Sequence, residues 1–134
     1  MRRYNSVKKY NITVNRFYEL LYFCKQYPEW KSELKYNLND TLNTPDNKST
    51  AKSEHPDPTG SVAVRRKSLE DNISLIERVA DEVSHDLAIY IIKGVTEDKP
   101  YKYLESVMRI PCSSNTYYNL RRKFFWLLDI RKKS

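Results

Sequence analysis

Apolar residues in this chain recur at intervals of three and four, and nowhere do they alternate with polar ones as a half-buried strand requires. Phe17, Leu20, Leu21 and Cys24 fall at i, i+3, i+4 and i+7, which is one face of a helix. From Leu69 through Ile73, Ile76, Ala80 and Val83 the steps are 4, 3, 4 and 3, an a/d heptad seam. Tyr117, Leu120, Phe124 and Leu128 form a further stripe at i, i+3, i+7 and i+11. A chain whose hydrophobic periods are all helical must bury them helix on helix, so the predicted class is all-α.

Proline and polar punctuation divide the helices. Residues 1–12 are polar and basic, with Arg2, Arg3, Lys8 and Lys9, and are expected to form a mobile arm. The first helix should stop at Tyr27-Pro28, because the residue before proline avoids helical angles. Pro28 then suits the opening of a short second helix through Trp30 and Leu34. Residues 37–57 are dominated by Asn, Asp, Ser, Thr, Lys and Pro, the composition of a flexible linker. Asp57-Pro58 reads as a cap and first helical position, opening a long helix to about Val83. Ser84 can cap the next helix, and Gly94 suits its end. A short helix should follow Pro100, then a turn at 109–112, then a last helix capped by Ser113 or Ser114 and running to about Ile130. The expected organisation is a small helical domain with a mobile internal linker and a C-terminal helix-turn-helix. Its parts are 1–36, a basic arm with short helices; 37–57, the linker; and 58–134, the main helical domain, with the helix-turn-helix over 100–130.

Composition excludes several kinds of function. Only Gly60 and Gly94 are glycines, so no glycine-rich phosphate loop is available. No apolar run approaches the roughly 18 residues of a membrane span, and no apolar core follows Met1-Arg2-Arg3-Tyr4 as a signal peptide needs. Cys24 and Cys112 are isolated and read as free thiols of a reducing cytoplasm. His55 and His85 have no cysteine near them, and Asp81 with His85 gives two ligands where a structural zinc needs four. No nucleophile–base pair is visible, so no catalytic residue, metal or cofactor is expected, and the chain is not read as an enzyme.

The formal charge of +7 is unevenly placed: +3 over residues 1–60, −1 over 61–112 and +5 over 113–134. A basic excess gathered at the ends points to a polyanion. On the last helix Asn115, Tyr118, Asn119, Arg122 and Trp126 fall largely opposite the apolar stripe, with Arg121 and Lys123 beside them. Arg can hold a guanine edge and Asn an adenine edge through paired hydrogen bonds. Ser113, Ser114 and the first backbone N–H groups can hold a phosphate, and Arg121 and Lys123 can add backbone charge contacts. The expected DNA-binding set is therefore Ser113, Ser114, Asn115, Tyr118, Asn119, Arg121, Arg122 and Lys123. The bland alternative is a helical hairpin with a solvated basic face. The usual turn glycine of such a motif would fall near Arg109, its usual small residue at Glu105, and the turn is about two residues longer than the commonest form.

The stretch Ile110-Pro111-Cys112-Ser113, then Thr116-Tyr117-Tyr118, then Arg121 to Leu128 resembles the C-terminus of small proteins encoded by phages and prophages of Gram-positive bacteria. These are phage late-gene transcriptional regulators of the ArpU/RinA type, with a helix-turn-helix similar to sigma factor region 4. Tyr27-Pro28-Glu29-Trp30 and Asp57-Pro58-Thr59 resemble earlier landmarks of such chains, and the likeness is dense from Tyr101 to Leu128. It implies promoter DNA as partner, contact with bacterial RNA polymerase, a host-cell cytoplasmic location, and a recognition helix from Ser114 to about Arg122.

The leading expectation is thus a sequence-specific, double-stranded-DNA-binding transcription regulator that is not in a membrane. The rival is a phage-encoded inhibitor of a host nuclease or polymerase subunit, using Tyr/Trp-rich surface as its hot spot; Tyr18 and Tyr22, four apart with Lys25 nearby, would suit it. The seam from Leu69 to Val83 has two uses, packing within the chain or pairing two copies. Its shortness and the intrusion of Arg66 predict at most a weak homodimer.

Overall fold

A computed structural model describes residues 10–43 and 58–133. Among these the regular structure is helical, with no strand: α1 (Val14–Lys25), α2 (Tyr27–Asn43), α3 (Pro58–Val83), α4 (Ala88–Glu97), α5 (Tyr101–Ser106) and α6 (Ser114–Lys133). No helix among the described residues is long and apolar enough to cross a membrane.

Local chemistry explains most boundaries. Thr13 opens α1, its hydroxyl accepting the Arg16 N–H at 3.2 Å. The helix breaks at Gln26, ahead of Tyr27-Pro28, and α2 restarts with the Trp30 N–H donating to the Gln26 carbonyl at 2.9 Å. Backbone helix continues to Asn43, so residues 37–43 of the expected linker are helical; nothing in 37–43 forbids helix, and Leu38 and Leu42 keep a four-residue step. The rest of that expected linker, and Arg2, Arg3, Lys8 and Lys9 of the expected arm, lie outside the described residues. Ser84 accepts the Leu87 N–H at 3.2 Å, one turn before α4.

Gly94 does not end α4. The helix runs on to Glu97 and closes on Asp98, whose φ of 57° is left-handed, with the Lys99 N–H returning to the Gly94 carbonyl at 3.1 Å. Gly94 is instead buried where α6 crosses, because a Cβ there would overlap the Tyr117 hydroxyl.

α3 is the spine of the core. It packs on α2, α4 and α6, while α1 packs on α4 and α6. Leu69, Ile76, Val79, Ala80 and Val83 are buried on it, and Ile73 is half-buried. The seam expected to serve either this chain or a second copy is therefore filled largely from within the chain. Val79 accounts for the outcome. With Ile76, Ala80 and Val83 it makes an i, i+3, i+4, i+7 stripe, the wide face of a core helix rather than a narrow coiled-coil seam. Each of the larger side chains, Leu69, Ile76, Val79 and Val83, contributes roughly 1.5–3 kcal/mol by leaving water.

Polar ties fix the helices around this core. The Tyr27 hydroxyl donates to Glu77 at 2.5 Å, and burial together with that carboxylate pushes it up from the ordinary phenol value. Arg65 grips Glu33 with two bonds, at 2.6 and 2.7 Å. Arg131 takes Glu82 at 2.6 Å, so the tertiary bond to α6 claims a carboxylate that helical spacing offers to Arg78. Asp129, the one acid of α6, is buried against Arg16 at 2.6 Å and Lys133 at 3.4 Å, which anchors α1 to the last helix.

Candidate nucleic-acid interface

The C-terminal quarter consists of the short α5, a turn and the long α6. Leu104 of α5 and Ile110 of the turn insert into the core. The Ile110 N–H reaches back to the Leu104 carbonyl at 3.0 Å. Between them Arg109 is left-handed, with φ 59°, at the position where the usual turn glycine would fall. Left-handed backbone costs a non-glycine residue about 1–2 kcal/mol, and glycine returns part of that through the entropy of its unfolded chain. Arg109→Gly is therefore expected to stabilise the fold by about 0.5–1 kcal/mol, raising the melting temperature by a few degrees. A thermal melt checks this, and a lowered midpoint would show that the turn bears no strain.

Ser113 caps α6: its hydroxyl accepts the Thr116 N–H at 3.2 Å, and its carbonyl accepts the Tyr117 N–H at 3.0 Å. Ser114 opens the helix and is exposed. Asn115, Asn119, Arg122 and Trp126 follow at steps of four, three and four, one stripe facing away from Tyr117, Phe124 and Leu128. Within the stripe Arg122 Nη2 donates to Asn119 Oδ1 at 2.6 Å. Asn119 thus uses its acceptor to aim the guanidinium of Arg122, which is half-buried with its Nε enclosed. Lys123 flanks the stripe, and Trp126 carries the Tyr10 ring, centroids 5.2 Å apart. Tyr10 and Ile12, expected to belong to the mobile arm, pack on the body.

Two members of the expected set do not join this surface. Tyr118 is half-buried, its ring against Tyr117 and its hydroxyl accepting the Tyr101 N–H at 3.3 Å. It fastens the start of α5 to α6. Arg121 turns inward, its guanidinium 5.6 Å from the Phe17 ring centre and 5.3 Å from that of Phe125. A cation over two aromatic faces is spent on packing α1 against α6. Both residues sit at the border of the buried stripe, where the tertiary partner decides which way a side chain goes.

Other cations surround the same end. Lys102 and Arg109 are exposed, and Lys99 lies 4.5 Å from the Tyr103 ring centre. Reading α6 alone misses them, although the charge count over 99–123 carries the signal: six Lys or Arg against the single acid Glu105. Chemistry of other kinds has little to work with. Cys24 lies in the core, where burial pushes its thiol far up. Burial also raises the half-buried Cys112 thiol. Among the described residues no group of three or more His, Cys, Asp or Glu is arranged to hold a metal.

No protein-family model, curated protein or solved structure matches this chain.

Proposed function

We propose that this protein is a sequence-specific double-stranded-DNA-binding transcription regulator of the phage type, with α5, the turn and α6 acting as a helix-turn-helix. The observation that carries the reading is the stripe Asn115, Asn119 and Arg122. These are the residue types that distinguish adenine and guanine edges, they share one face of the first turns of α6, and Asn119 already orients Arg122. The cations Lys102, Arg109 and Lys123 suit the flanking phosphates. Ser113 caps the α6 N-terminus, whose backbone N–H groups and Ser114 hydroxyl suit a further phosphate. The sequence resemblance to late-gene regulators agrees and adds bacterial RNA polymerase as a second partner in the host cytoplasm.

Arg122→Ala is expected to weaken cognate binding by about 1–3 kcal/mol and to relax base preference. Lys123→Ala should weaken all sequences alike and lower the salt slope by about 1. Binding titrations on cognate-locus and random duplexes read both, with circular dichroism to verify the fold. An Arg122→Ala protein that keeps full discrimination would remove the base-reading role.

One observation favours the rival reading, an inhibitor docked on a host protein. The Tyr18 and Tyr22 rings stack at 6.3 Å on α1, Tyr22 is 58% exposed, and Lys25 lies over it. Aromatic residues beside a cation make interface hot spots. Tyr22→Ala separates the readings: it should leave DNA binding unchanged under the regulator reading and abolish partner capture under the rival.

A further inference from the structure

Arg122 is held from two sides. Its Nη2 donates to Asn119 Oδ1 at 2.6 Å, across the i, i+3 spacing that makes the two side chains neighbours on α6. Its stem is half-buried with Nε enclosed, although it stands on the face opposite Tyr117, Phe124 and Leu128. Asn119 and Asn115 are both exposed, one helical turn apart. The two amides have the same chemistry and unequal duties. An amide reads adenine by accepting from N6 while donating to N7, so it needs its oxygen. In Asn119 that oxygen carries a short, charge-assisted bond to a guanidinium. The N–H groups that remain meet N7 of adenine and N7 of guanine alike, and donors alone do not separate the two.

We infer that Asn119 is a positioning residue, which holds the Arg122 fork for guanine and does not itself choose a base. The sequence preference of α6 then consists of a guanine set by Arg122 and an adenine set by Asn115, with little selection between them. The inference rests on the DNA-binding reading and divides its labour among the three residues. A free arginine loses side-chain freedom when it docks on a base edge, whereas one already held loses less. The hold also fixes the plane of the guanidinium, on which two parallel bonds to O6 and N7 depend. Side chains on successive turns of a helix in the major groove face successive base pairs. Asn115, Asn119 and Arg122 occupy such turns, which places the guanine and the adenine about two base pairs apart.

The test is selection from a randomised duplex pool by the full chain, followed by titration of every single-base variant of the selected site. The wild type is expected to prefer guanine at one position and adenine about two base pairs away. Asn119→Ala should lower the guanine discrimination by about three- to tenfold and add nothing in an Arg122→Ala background. It should leave the adenine discrimination unchanged, whereas Asn115→Ala should remove that preference alone. Asn119→Asp keeps the acceptor for Arg122 and lacks the donors that an adenine reader needs. It should retain the guanine discrimination while its charge weakens all sequences alike. Asn119 is exposed, so these variants are expected to fold, and circular dichroism verifies it. Intact guanine discrimination in Asn119→Ala, or an adenine preference lost in Asn119→Asp, would overturn the positioning role while DNA binding stands. A wild-type protein that enriches no sequence from the pool would overturn the base-reading stripe and the positioning role together.

Discussion

Ile76→Asp is expected to leave the chain unfolded. Ile76 is fully buried in the C-terminal half of α3, the helix on which α2, α4 and α6 pack. A carboxylate there has to ionise without a partner or stay protonated with its hydrogen bonds unmade, and either costs several kcal/mol. The isoleucine contacts are lost as well, and the sum exceeds about 4 kcal/mol against the 5–15 kcal/mol that stabilises an ordinary domain. Val64→Asp, on the same helix at a site 70% exposed, should change stability by less than about 0.5 kcal/mol. Circular dichroism and light scattering read the contrast. A folded, monomeric Ile76→Asp protein would mean that the seam had served a second copy and not this chain.

That contrast marks what the sequence makes legible. Period and punctuation give the helices, because an apolar stripe, a proline and a capping serine act locally. Pro58 and Val83 bound α3 as the sequence predicts, and Pro28 divides α1 from α2. Partners are another matter. The heptad steps from Leu69 to Val83 suit either a neighbouring helix or a second chain, and only Val79, off the seam and buried, distinguishes them. Phe125 escapes the stripe drawn through Tyr117 and Phe124 for a related reason. α6 is covered by α3 and by α1, so its buried arc is wider than one row, and Phe125 meets Phe17 edge-on at 5.0 Å.

The candidate site divides along the same line. Asn115, Asn119, Arg122 and Lys123 are where helical spacing puts them, on the side away from the core. Tyr118 and Arg121 lie at its edge, and a long side chain at an edge can turn either way. Phe17 and Phe125 decide for Arg121, and the Tyr101 backbone decides for Tyr118. The pairing of Tyr10 with Trp126 joins opposite ends of the chain, and no local pattern encodes it.

Gly94 offers the sharpest test of such a non-local constraint. Gly94→Leu is expected to abolish folding, and Gly94→Ala to destabilise by about 2 kcal/mol. In an unobstructed helix alanine in place of glycine would stabilise by roughly 1 kcal/mol, so the sign itself is informative. The obstruction is Tyr117: a Cβ at Gly94 overlaps its hydroxyl and stands 3.2 Å from its Cζ, with Leu104 Cδ1 at 3.5 Å beyond. Tyr117 has nowhere to go, being 1% exposed and wedged between Tyr101 and Tyr118. Overpacking at such a site lies at or above the top of the usual 1–3 kcal/mol, which outweighs the helix gain. Burial pushes the Tyr117 hydroxyl up to about 12, against the charge and the hydrogen bond of the nearby Arg121. Tyr117→Phe removes the oxygen that a Cβ at Gly94 would overlap. Combined with Gly94→Ala it should recover part of the loss, with a coupling of about 1–2 kcal/mol, since the ring carbon still crowds the new methyl. Urea unfolding of the four proteins measures that coupling. Strict additivity would mean that Gly94 is needed for its backbone and not for the space it leaves to Tyr117.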